Sequence, residues 1–169
     1  MALAQNAERP EARYNRSFAR LVHGDFAQGF LEYEARWQCA AYIQDYHRPF
    51  MREIPMWNGS PLGDRTILLH GEQGLGDVIQ MLRYLDWDGF RDHAVVEVPR
   101  PLVSLVADSW PQHRVVARGD DLPPTDLHCP MLSLPIRFGT DEESKIPAVV
   151  PYLSALEGPQ LPEPVAPWL

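Results

Sequence analysis

Thr66-Ile67-Leu68-Leu69-His70-Gly71-Glu72-Gln73-Gly74-Leu75-Gly76-Asp77-Val78-Ile79-Gln80 is the stretch that decides the fold of this chain. Residues 66–70 form a short apolar run, suited to a strand buried on both faces of a parallel sheet. Gly71 to Gly76 make a glycine-bearing loop, and after Asp77 the residues Val78, Ile79, Leu82 and Leu85 recur at helical spacing. Downstream the alternation continues. Ala94-Val95-Val96-Glu97-Val98 reads as a second strand, and Pro101-Leu102 opens a short helix carrying Val103, Leu105 and Val106. Arg114-Val115-Val116-Ala117 reads as a third strand, and residues 127–132 as a fourth. Strands joined by short helices predict a parallel sheet with right-handed crossovers. The expected fold class is α/β, a Rossmann-like unit over residues 65–155.

Upstream, residues 11–40 read as a helical hairpin. Tyr14, Phe18, Leu21 and Val22 share one face, and Phe26, Phe30, Tyr33 and Trp37 make a second stripe. His23-Gly24-Asp25 separates them, with Gly24 fit to end one helix and Asp25 to cap the next. Glu32, Glu34 and Arg36 are expected on or beside the solvated face. Residues 41–64, rich in Pro and Gly, read as a connector, with Trp57 anchoring it on the core. Residues 156–169, which include Pro159, Pro162, Pro164 and Pro167, have linker composition.

Composition narrows the function. The chain has 169 residues, enough for one domain with a small appendage, and at 45% apolar it can bury a core. With 15 Lys and Arg against 23 Asp and Glu, the net charge of -8 argues against a nucleic-acid backbone binder, which needs a basic patch. Cys39 and Cys129 stand far apart and outside any zinc spacing, so neither a disulfide framework nor a metal site is expected. No apolar run reaches the ~18–20 residues of a membrane span. The N-terminus lacks the order of a signal peptide, so a cytoplasmic protein is expected.

The loop at 72–77 is where an open α/β sheet would present a ligand site. Gly71-x-x-Gly74-x-Gly76 does not fit the Gly-x-Gly-x-x-Gly of dinucleotide binders, and no Lys follows it as a phosphate loop requires. Glu97, at the end of the second strand, stands where a ribose-binding acid would belong, but the glycine spacing speaks against a nicotinamide enzyme. Gly74 and Gly76 permit close backbone approach, free N–H groups at the helix start favour anionic oxygens, and Glu72 and Gln73 are candidates to line a cleft. Asp77 has two readings of equal weight, helix cap and general base. Ser133, beside the fourth strand, presents a hydroxyl to the cleft or serves a turn. Arg83 and His128 read as structural groups.

The run Trp57-Asn58-Gly59, His70-Gly71-Glu72-Gln73-Gly74-Leu75-Gly76-Asp77, Gln80, Arg83-Tyr84-Leu85, Pro101-Leu102, Asp126, Ser133-Leu134-Pro135 and Pro151-Tyr152-Leu153 resembles a family. It is similar to bacterial tetratricopeptide-repeat proteins that end in a glycosyltransferase-like domain, relatives of the heptosyltransferases. The helical hairpin resembles one such repeat through Ala12, Gly24, Asp25-Phe26 and Tyr33-Glu34-Ala35-Arg36-Trp37. The resemblance implies the N-terminal half of a two-domain GT-B fold. That half takes the acceptor, and Asp77 stands at the position of the general base. Glu72, Gln73, Gly74, Gly76 and Ser133 are then the candidate substrate-binding residues. A second, nucleotide-sugar-binding domain is not found in these residues, so the expectation is an acceptor-side half, inactive alone. It holds no resident cofactor, and sugar acceptor or nucleotide sugar engages only with a second domain. The alternative is a non-catalytic interaction module that binds a protein partner or self-associates.

Overall fold

The computed structural model describes residues 9–154, so the Pro-rich tail at 156–169 lies outside the described residues. Helix α1 (Pro10–Val22) begins with Pro at its first position, where no N–H is needed. It ends in a left-handed Gly24 at φ +79°. Gly24 N–H bonds Leu21 O and Asp25 N–H bonds Arg20 O, closing the last carbonyls of the helix. The Asp25 carboxylate then accepts from Gln28 N–H and caps helix α2 (Phe26–Tyr33). The two helices cross closely because of Gly29: a Cβ there would lie 2.6 Å from Leu21 Cδ2.

At Glu34 the backbone tightens into a 3-10 turn (Glu34–Gln38) before helix α3 (Ala40–Tyr46) and a second 3-10 turn (Pro49–Arg52). The expected connector is therefore partly helical. Tyr42 and Tyr46 lie one turn apart on α3, their ring centroids 4.5 Å apart, and Tyr42 is buried. Beyond it, His128 N–H bonds Pro55 O and Trp57 N–H bonds His128 O, so residues 55–57 cover the outer edge of the sheet.

The sheet holds β1 (Ile67–His70), β2 (Ala94–Val98), β3 (Arg114–Ala117) and β4 (Leu127–Pro130), all parallel, in the order β3-β2-β1-β4. Helices α4 (Leu75–Met81), α5 (Val103–Ser109) and α6 (Leu134–Arg137) complete an α/β arrangement consistent with a Rossmann-like fold.

Because side chains alternate along a strand, the sheet has two chemically different faces. Ile67, Leu69, Val96, Val98, Leu127 and Cys129 meet Val78, Leu82, Leu85 and Val106 in the main core. Trp57 sits in this core beside Trp87, Phe90 and Phe138, with its Nε1 donating to Ser60 O at 2.7 Å. The opposite face carries His70, Glu97 and His128, over which Phe50 and Arg48 fold. Among the described residues no helix is long and apolar enough to cross a membrane.

Candidate functional site

In strand order β3-β2-β1-β4 the chain leaves β1 toward β2 on one side and later places β4 on the other. The crevice at the carboxyl ends of β1 and β4 is thus the topological switch point, where open α/β sheets bind ligands. The loop after β1 supplies Gly71 to Gly74 here, and the 3-10 turn after β4 (Met131–Ser133) supplies Ser133.

The crevice is filled by the chain itself. Arg36, from the 3-10 turn of the hairpin, is 0% exposed. Its Nη2 donates to Glu72 Oε1 at 2.8 Å and to Ser133 Oγ at 2.7 Å. Its Nη1 donates to Glu34 Oε1 and to Tyr33 O. Ser133 Oγ donates onward to Glu34 at 2.7 Å, and Tyr42 Oη donates to Glu72 Oε2 at 2.7 Å. The guanidinium lies over the rings of Tyr33 and Trp37, 4.7 and 4.9 Å from their centroids. Burial alone would pull the Arg36 guanidinium down, but Glu72 and Glu34 outweigh it and hold the group above its ordinary value.

Glu72 and Ser133, the candidate cleft residues, have polar atoms bonded by Arg36 and its neighbours. One expectation is corrected by this arrangement. Glu32 and Arg36 are not on the solvated face: Glu32 is buried against Arg16 and Arg20, and Arg36 is the centre of the network. Glu97, on the other face of the sheet, is buried and paired with Arg48.

Gln73 stands at the edge of the same network. Its backbone is left-handed at φ +59°, a strained conformation for a residue with a Cβ. The side chain secures it, with Nε2 donating to Tyr33 Oη at 2.8 Å and to Tyr42 Oη at 3.2 Å. Gly74 and Gly76 are exposed, and a Cβ on Gly76 would meet nothing within 4 Å.

Asp77 combines a helix-capping contact with a place on a cleft. Its Oδ2 accepts from Gly74 N–H at 3.0 Å, capping α4. The same residue lines a cleft of about 360 Å³ between the hairpin and α4, walled by Phe18, Leu21, Phe26, Phe30, Tyr33 and Met81. One N–H bond leaves a carboxylate with further acceptor positions. Among the described residues no lysine or arginine lines this cleft. The anion-site expectation for the start of α4 is also revised: the helix has seven residues, and its own carboxylate already occupies the Gly74 N–H.

The His-bearing face holds a second cluster. His70 Nε2 and His128 Nδ1 lie 3.1 Å apart, a contact that requires a lone pair on one ring. Burial, then Arg48 and His47, lowers His128 to about 4, and burial with Arg48 and His128 takes His70 well below its usual value. Both groups therefore fold neutral, and the unfolded chain binds more protons as pH falls below the usual histidine value of 6.5. Stability is full above that value and declines toward about 4, by up to about 1.4 kcal/mol per pH unit for each proton taken up. Urea midpoints measured between these limits are expected to fall steadily, and His128→Leu is expected to flatten the slope. A midpoint independent of pH in this window would contradict the neutral pair. Among the described residues no group of three or more His, Cys, Asp or Glu is arranged to hold a metal ion.

Sequence reasoning placed Asp77 and Gln73 at the site but missed Arg36, Tyr42 and the phenylalanine wall. The only signal for Arg36 was its position between Tyr33 and Trp37 in an aromatic stripe. No protein-family model, curated protein or solved structure matches the chain.

Proposed function

We propose that this chain is the acceptor-side half of a nucleotide-sugar-dependent glycosyltransferase-like protein, a cytoplasmic relative of the heptosyltransferases with a tetratricopeptide-like hairpin in front. Asp77 is the general base. As the acceptor hydroxyl attacks the anomeric carbon, its proton passes to the Asp77 carboxylate. The bond from the anomeric carbon to the diphosphate breaks, and the nucleotide diphosphate leaves with the electron pair. The observation that supports this reading is a carboxylate at the β1–α4 loop that also lines an apolar-walled cleft with no basic residue among its described lining. Such a cleft suits an acceptor, whereas a diphosphate calls for cations or open backbone donors. The donor-binding half is supplied elsewhere, by further polypeptide or by a partner.

A second reading rests on the hairpin surface. Phe18, Val22 and Leu31 are exposed, Val22 by 85%, and such side chains suit a protein partner or self-association in a non-catalytic interaction module.

Nucleotide release from a panel of nucleotide sugars separates the possibilities. The chain alone and its Asp77→Ala variant are both expected to stay at background. Release by the chain that disappears in Asp77→Ala would show a complete transfer site and overturn the half-site reading.

A further inference from the structure

The cleft beside Asp77 has a chemistry that selects among acceptors. Phe26 and Phe30 stack with their planes 19° apart and centroids 6.0 Å apart, and Phe18 meets Tyr33 edge to face at 5.8 Å. These rings, with Leu21, Met81, Leu132 and Ile146, form an apolar wall. Against it stand two polar side chains with acceptor capacity, Asp77 and Gln80. Among the described residues lining the cleft, Asp77 carries the one formal charge. The nearby cations are engaged elsewhere: Lys145, adjacent to Ile146, pairs with Asp141, and Arg20 pairs with Asp25 and Glu32. Arg83 donates to Gln80 O and Pro147 O.

We infer that this cleft takes a small amphiphile with an aromatic or aliphatic body and a neutral or cationic donor head, an alcohol or an amine, and rejects anions. The body lies on the phenylalanine wall, which provides apolar area and ring faces. The head donates a hydrogen bond to the Asp77 carboxylate, and a positive head gains from both the carboxylate and the rings. An anionic head meets a like charge, with no cation among the described residues lining the cleft. This deepens the acceptor-side reading and rests on it for the role of the ligand, while the binding order itself depends on no transfer reaction.

Phenethylamine, phenethyl alcohol and hydrocinnamate share one body and differ in the head. Each is titrated into the full chain, with the aromatic NMR resonances of the cleft as the readout. The amine is expected to bind best, the alcohol next and the carboxylate weakest, with amine and carboxylate separated by about tenfold or more. Asp77→Asn keeps a side-chain oxygen able to accept from Gly74 N–H, so the variant is expected to fold, as an unchanged urea midpoint would verify. In it the amine and carboxylate should come within about twofold, while Phe30→Ala should weaken all three ligands. Equal binding of the three heads, an order unchanged in Asp77→Asn, or no binding at all would overturn the inference. The predicted order without any transfer, even beside a donor-binding half, would keep the cleft assignment and remove the glycosyltransferase reading.

Discussion

Arg36→Met is expected to destabilise the chain by about 3–5 kcal/mol, the range for removing one partner of a buried ion pair. The reason lies in what the substitution leaves behind. Glu72 is 3% exposed and accepts from Arg36 and Tyr42; without the guanidinium its carboxyl is left in the interior with one hydroxyl donor. Ser133 loses a donor and Glu34 keeps only Arg137 and Ser133. Methionine fills much of the arginine stem volume, so the loss is electrostatic and not a cavity. The double variant Arg36→Met with Glu72→Met removes the orphaned charge and is expected to recover more than half of the lost stability. Urea unfolding of the two variants and the parent checks this. A single-variant cost under about 1 kcal/mol would mean that Arg36 is a surface-like group whose pairing contributes little.

Arg36 also shows where sequence reasoning stops. The strand at Ala94–Val98 was legible to the residue, because five consecutive residues of mostly β-branched apolar character have few other places to go. Gly24 and Asp25 were legible as a helix end and a cap for a similarly local reason, since each acts on backbone within four residues. The partners of Arg36, by contrast, are Glu72 and Ser133, 36 and 97 positions away in the chain. No local pattern reports such a pair.

The helical wheel pointed the wrong way here as well. It assumes a period of 3.6 residues, and after Tyr33 the backbone winds as a 3-10 turn with a period near 3, which changes the direction of each following side chain. Helix α3 was missed because its inward stripe is only buried Tyr42 and half-buried Tyr46, next to segments rich in breaking residues.

The loop at 71–77 was read as the place where chemistry gathers, and its residues divide by environment in a way the sequence did not reveal. Glu72 turns into the interior, Gln73 is fastened to three tyrosines, and Asp77 alone meets an open cleft. Six residues in a row thus serve three different surroundings. What sorts them is the hairpin that docks on the loop, an element joined to it by no sequence proximity.

The hairpin closes the switch-point crevice through Arg36 and leaves Asp77 as the accessible acid of the 71–77 loop. Thiol labelling tests it directly, because the native Cys39 and Cys129 are buried and burial raises both thiols. Asp77→Cys and Ser133→Cys are compared in otherwise unchanged chains under native conditions. The thiol at position 77 is expected to react near the rate of a free cysteine. The thiol at 133 should react at least about a thousandfold more slowly, limited by local opening of the structure. Comparable rates at the two positions would contradict the closed crevice and return Glu72 and Ser133 to the ligand site.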